Sequence, residues 1–185
     1  MTPAEVDSLL AEMKRRAGQP ADAEEPPILK EFRELAARDD GREFYMVNLL
    51  KFRRQALYPP GSPFSGDALA ANDRYNRAVI PFVLKHGGVP LLDSRVPGRF
   101  IHPAGADDWD RVAMVRYRSR RDMLKMGVEI ASNGIDVHKW AALEKSQILP
   151  VKPLVSLFLI RAAVAAFLLI VALLLQLLLG GLKFS

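Results

Sequence analysis

Apolar residues recur along this chain in three rhythms. At the N-terminus Val6, Leu9, Leu10 and Met13 are spaced for one helical face. Thr2, Pro3 and Glu5 precede them as an N-cap, a first-turn proline and the far end of a T-x-x-E box. Residues 18–27, GQPADAEEPP, are polar and proline-rich and predict a linker. Leu29, Phe32, Leu35 and Ala36 then predict a second helix that ends near ARDDG. In EFYMVNLLKF (43–52) both alternating faces are apolar, the pattern of a central strand.

From there the rhythms alternate. SPFSGDALAANDRYNRAVIPFVLKHGG predicts one long helix with Leu69, Tyr75, Val79, Phe82 and Val83 inward, kinked at Pro81 and stopped by Gly87 and Gly88. VPLLDSRVPGRFI predicts a strand, or two pieces broken at the Pro-Gly, and WDRVAMVRYR (109–118) predicts another. Ser119 caps a short helix with Asp122 three residues on. A helix around DVHKWAALE and a last strand, SQILPVK, follow. The order β-α-β-β-α-β predicts an α+β sandwich with its helices on one face of the sheet.

The third rhythm is an unbroken apolar run. Between Leu154 and Leu179 only Arg161 and Gln176 are strongly polar. A hydrocarbon core about 30 Å thick needs about 20 helical residues, and Ala162–Leu182 supplies 21. Arg161 would snorkel to the interface. Lys145, Lys152 and Arg161 precede the run and only Lys183 follows it, which keeps the N-terminal side in the cytoplasm. The expectation is a single-pass, tail-anchored membrane protein in three parts: an N-terminal helical extension (1–42), an α+β domain (43–152) and a transmembrane helix (154–182). Arg161, Ala165, Ala172 and Gln176 fall within one sector of that helix, roughly 80° wide at 100° per residue. That stripe is either a contact seam, with a second copy or another span, or a chance product of a Leu/Ala-rich run.

Charge and composition narrow the classes. The chain carries 26 basic and 21 acidic residues, a net charge of +5. All the acids precede Pro150, so residues 1–150 are close to neutral and no basic stripe interleaved with aromatics points to nucleic acid. Cysteine is absent, which removes disulfides, thiolate metal sites and a thiol nucleophile. Charges recur too often near the N-terminus for a signal peptide. No nucleotide-binding, hydrolase or metalloprotease motif is present, so no catalytic or metal set is assigned.

YMVNLLKF, the helix carrying RYNRAVIP and ending in KHGG, then WDRVAMVRYRSRRDMLKM and HKWAALEKSQILP, resemble the domain of unknown function 1330 family over roughly residues 43–150. Arg118 and Asn72 depart from it, standing where the family tends to have proline and tyrosine. The resemblance implies the ferredoxin-like dimeric α/β-barrel fold and a homodimer or membrane-protein partner. The superfamily includes cofactor-independent monooxygenases, isomerases and haem-handling proteins, so it brings neither reaction nor cofactor. It further implies that the third and fourth strands end at one edge. Lys85, His86, Arg118, Arg120, Arg121 and Lys152 would then face anionic headgroups, at about 1 kcal/mol each, while Asp107, Asp108 and Asp110 point away. An ordinary solvated turn is the other reading.

Four residues form the candidate pocket. Asn48 shares a strand face with Met46 and Leu50 and must satisfy a buried amide. It either bonds the neighbouring backbone or joins Tyr75 and Arg116 in holding a carboxylate or enolate. His86, otherwise a cation at a helix C-terminus, would be the general base of an enzyme. His102 falls in a loop and His138 on a helix surface. Two functions remain: an accessory or interaction subunit at the membrane, or a small-molecule binder or enzyme acting on a lipophilic substrate.

Overall fold

Single side chains set the helix starts. In a computed structural model describing all residues except 21–23, 155–156 and 182–185, and no side chains for 157–159, 161–162 and 180–181, α1 (Pro3–Arg16) begins where the Thr2 hydroxyl accepts from the Glu5 N–H at 3.2 Å. α2 spans Pro27–Ala37 and β1 Phe44–Phe52. α3 (Ala68–Lys85) starts where the Asp67 carboxylate accepts from Ala70 N–H at 2.7 Å. It ends in a double closure at Gly87 (φ 71°): Gly87 N–H donates to Leu84 C=O at 3.0 Å and Gly88 N–H to Val83 C=O at 2.8 Å. β2 (Val89–Arg95) and β3 (Arg111–Tyr117) follow, with no second strand piece after the Pro-Gly. α4 (Arg120–Asn133) is capped by the Ser119 hydroxyl, which accepts from Asp122 N–H at 3.1 Å. α5 (Asp136–Ala142) leads directly into β4 (Leu143–Val151).

The four strands form one antiparallel sheet in the order β2-β3-β1-β4. β1 is central, as its two apolar faces predict, and the order is that of a split β-α-β motif. Strand parity then sorts the side chains. Phe44, Met46 and Asn48 oppose Tyr117, Val115 and Ala113 on one face; Tyr45, Val47 and Leu49 oppose Arg116, Met114 and Val112 on the other.

The first face carries the core, where Phe44, Met46, Val79, Val83, Tyr117, Met123 and Met126 are buried together with Leu35 of α2. A second cluster, Val6, Leu10, Met13, Leu29, Leu124 and Val128, fastens α1 and α2 onto α4. Fully burying one such leucine contributes about 1.5–3 kcal/mol. The N-terminal helices therefore belong to one compact unit, Met1–Lys152, with the sheet. Leu69, expected inward, is exposed, because Ala68 and Ala71 take the buried positions of that turn. On the second sheet face Val47, Leu49, Val112 and Met114 stay partly exposed, as does Leu149 of β4.

The other unit, Pro153–Ser185, contains α6 (Leu157–Gly181), 25 residues long. Its side chains are described without a break only from Ala163 to Leu179, and among the described residues no helix is long and apolar enough to cross a membrane. Of the stripe, Ala165, Ala172 and Gln176 are exposed like their neighbours, which does not single out a seam. The Arg161 side chain lies outside the described residues.

Candidate functional site

Between the core face of the sheet and the helices lies a cavity of about 830 Å³. Met46, Asn48 and Ile148 line it from the sheet, Met126 and Ile130 from α4, and Phe32 from α2. Its polar lining includes Asn48, Tyr75 of α3, Tyr117 of β3, Asp136 and Lys139 of α5, and charged residues of α1, α2 and α4. A ligand-sized, mostly apolar cavity with a few convergent polar groups is the usual form of a small-molecule site.

Strand parity decides which expected residues meet. Asn48 and Tyr75 line the same cavity. The Asn48 amide donates to Met46 C=O at 3.2 Å and Ala113 C=O at 3.5 Å, so its N–H groups are used structurally. Arg116 does not join them. It opposes Tyr45, hence projects from the other sheet face, and its Nε donates to Glu43 at 2.7 Å. His86 is not at the cavity either; it caps the C-terminal end of α3, with Nε2 3.3 Å from a Glu129 carboxylate oxygen.

The expected basic edge is also corrected. Arg120 is buried, its guanidinium 4.9 Å from the Phe44 ring centroid and 3.2 Å from Asp40, so it cannot reach headgroups. Arg118 pairs with Asp122 at 2.8 Å and holds that carboxyl down at about 2. Arg121 pairs with Glu5 at 2.9 Å, Lys85 with Glu129 at 2.9 Å, and Lys152 with Asp40. Each of these five cations has an acid beside it, and only Arg118 finds its own within four residues.

Lys139 went unrecognised in the sequence. Its ammonium sits 5.1 Å from the Trp140 ring centroid and 5.8 Å from that of Tyr75. Burial lowers its pKa to about 8, against a smaller upward pull from Asp136. The side chain is half-buried and lines the cavity. Burial likewise pushes the Tyr75 hydroxyl well above its ordinary range and that of Tyr117 up to about 12, so both stay protonated donors at neutral pH. No periodicity marks such a lysine, because a four-carbon stem reads as surface wherever it falls on a short helix.

His138, expected on a helix surface, instead closes a second cluster. Its Nδ1 lies 2.9 Å from the Tyr58 hydroxyl, its ring packs edge-on against Phe64 at 4.6 Å, and burial followed by Arg74 lowers its pKa. Arg74 in turn donates to Tyr58 at 3.3 Å and to Ser65 C=O at 3.1 Å. Among the described residues no group of acids and histidines is arranged to hold a metal ion.

Sheet order and cavity together define an α+β protein of split β-α-β topology with a small-molecule-sized chamber over its sheet. Solved structures share this fold. The crystal structure of methylated RPA0582 protein superposes with a TM-score of 0.63 at 26% identity, covering 70% of this chain and 94% of that one. That of RPA0582, a protein of unknown function from Rhodopseudomonas palustris, gives 0.63 at 25% identity, covering 71% and 97%. No family model and no curated protein matches the chain.

Proposed function

We propose that the protein binds a small amphipathic molecule in the cavity over Asn48, as a homodimer held at a membrane by α6. The cavity carries this reading: about 830 Å³, walled largely by apolar side chains such as Met46, Ile130 and Phe32, with Lys139 set over the Tyr75 ring among its polar groups. The absence of a paired nucleophile and base among the polar lining groups favours binding over catalysis. The partly exposed apolar sheet face supports the dimer. For the membrane span, the support is a helix of 25 residues, roughly 37 Å long, whose large apolar side chains from Val164 to Leu179, Val171 apart, are exposed.

The interaction-subunit reading has one observation of its own. Phe100 and Ile101, in the loop between β2 and β3, are 96% and 82% exposed, a pair suited to insertion into a partner.

The test uses the full chain in lipid nanodiscs. Native mass spectrometry should find a bound small molecule, and Ile130→Trp, which fills the cavity from α4, should remove it. Recovery of an empty protein that also takes up no neutral aromatic probe would sink the binding role.

A further inference from the structure

We infer that the ligand is an organic carboxylate and that Lys139, with the hydroxyls of Tyr75 and Tyr117, is the group that selects it; this rests on the cavity being a binding site. Lys139 and both tyrosines line the chamber, and the Lys139 ammonium lies 5.8 Å from the Tyr75 ring centroid. Among the described residues the Lys139 ammonium has no carboxylate close enough for an ion pair, and its contacts are the faces of Trp140 and Tyr75. Neither tyrosine hydroxyl has a hydrogen-bond partner among the described residues, and Tyr117 lies close enough to add to the upward shift of the Tyr75 hydroxyl. A carboxylate offers two oxygens with lone pairs for two hydroxyls and a charge for the ammonium, and satisfies all three donors at once. A neutral ligand would leave the cation desolvated and unpaired.

The surroundings leave this role to Lys139. Of the other cations along the cavity, Arg120 of α4 is committed to Asp40, Lys14 of α1 has a partner of its own, and Arg38, just after α2, is exposed to solvent. Of the acids, Asp136 on the same helix draws on Lys139 without pairing to it, and Glu31 and Glu34 of α2 are exposed. Lys139 thus supplies the cation that the sequence pattern assigned to Arg116. The ligand's remainder must be apolar, to match the methionine and isoleucine walls.

The probes are 2-naphthoate and its uncharged amide, 2-naphthamide, titrated calorimetrically into the full chain in nanodiscs with empty nanodiscs as blank. The acid should bind about tenfold tighter than the amide or better, the size of one charge-assisted hydrogen bond. Its affinity should hold below pH 8 and fall as Lys139 loses its proton above it. Lys139→Met should reduce naphthoate to the level of the amide, and Lys139→Arg should restore the preference, with near-UV circular dichroism confirming that both variants fold. A preference for the acid that survives Lys139→Met, or no preference in the native protein, overturns the inference while the cavity keeps its binding role. Failure of both probes at millimolar concentration removes the binding role and this inference with it.

Discussion

Replacing Arg120 by alanine separates a buried structural cation from a surface one. The guanidinium stacks at 4.9 Å on Phe44, itself fully buried, and donates to Asp40 at 3.2 Å. A desolvated cation–π contact contributes about 2 kcal/mol. A hydrogen bond between charged groups contributes about 1.5–3 kcal/mol, taken here at its lower end because Asp40 keeps Lys152 as a partner. The Arg120 Nε is buried without an acceptor, which offsets part of the gain. The expected loss for Arg120→Ala is about 2–4 kcal/mol, or about 5–15 °C in melting temperature for a domain of this size. Unfolding is followed by the fluorescence of Trp109 and Trp140 in mild detergent. Arg118→Ala and Arg121→Ala, whose side chains are about half or more exposed, should each cost below about 1 kcal/mol. Arg120→Ala unfolding together with Arg118→Ala would refute the placement of this side chain, and a double-mutant cycle with Phe44→Leu showing no coupling would refute the stacking.

Three further outcomes are expected. A Cβ on Gly88 would lie 2.7 Å from Val83 Cγ1 and 2.9 Å from the Val83 carbonyl, so Gly88→Ala should destabilise by about 1–3 kcal/mol; Gly98→Ala, which meets nothing, should be near neutral in the same denaturation assay. Lys139 is harder to charge in the folded protein than in the unfolded chain, so the unfolded state holds the extra proton between about pH 8 and 10.5. Stability measured by urea titration should therefore rise across that window, and Lys139→Met should flatten the rise and stabilise the ligand-free protein at pH 7. Leu149→Asp, on the partly exposed sheet face, should convert the dimer to a monomer in sedimentation velocity, a native-like dimer in the variant being the contrary result.

Local rules account for what the sequence disclosed. Thr2, Ser119 and Gly87 act on neighbours within a few residues, so their caps could be read directly. The central position of β1 followed from its two apolar faces. That Asn48 and Tyr75 line one cavity followed as well, since they lie on faces that their own strand and helix define. Arg116 was misplaced by parity: its neighbours Val115 and Tyr117 face the helices, and one residue moves a side chain to the opposite face. The pairs of Arg120 with Asp40 and Arg121 with Glu5 join residues 80 and 116 positions apart, beyond the reach of any spacing rule. Lys139 depended on α1, α2 and α5 enclosing a space that no single element contains.

Asp40 receives both Arg120 and Lys152, and Lys152 follows β4, a strand at the margin of the sheet. Traction on the chain beyond Lys152 first meets the Lys152–Asp40 bridge and then a strand loaded from its end. Pulled outward from the sheet margin, its ladder parts one rung at a time, beginning with Val151 opposite Tyr45; pulled along its own axis it would break many rungs together. The next rungs set Pro150 against Met46 and Ile148 against Asn48, which are also wall residues of the cavity. A motor protein gripping the chain on that side would therefore tear open the chamber and release its contents before it disturbed the helical layer.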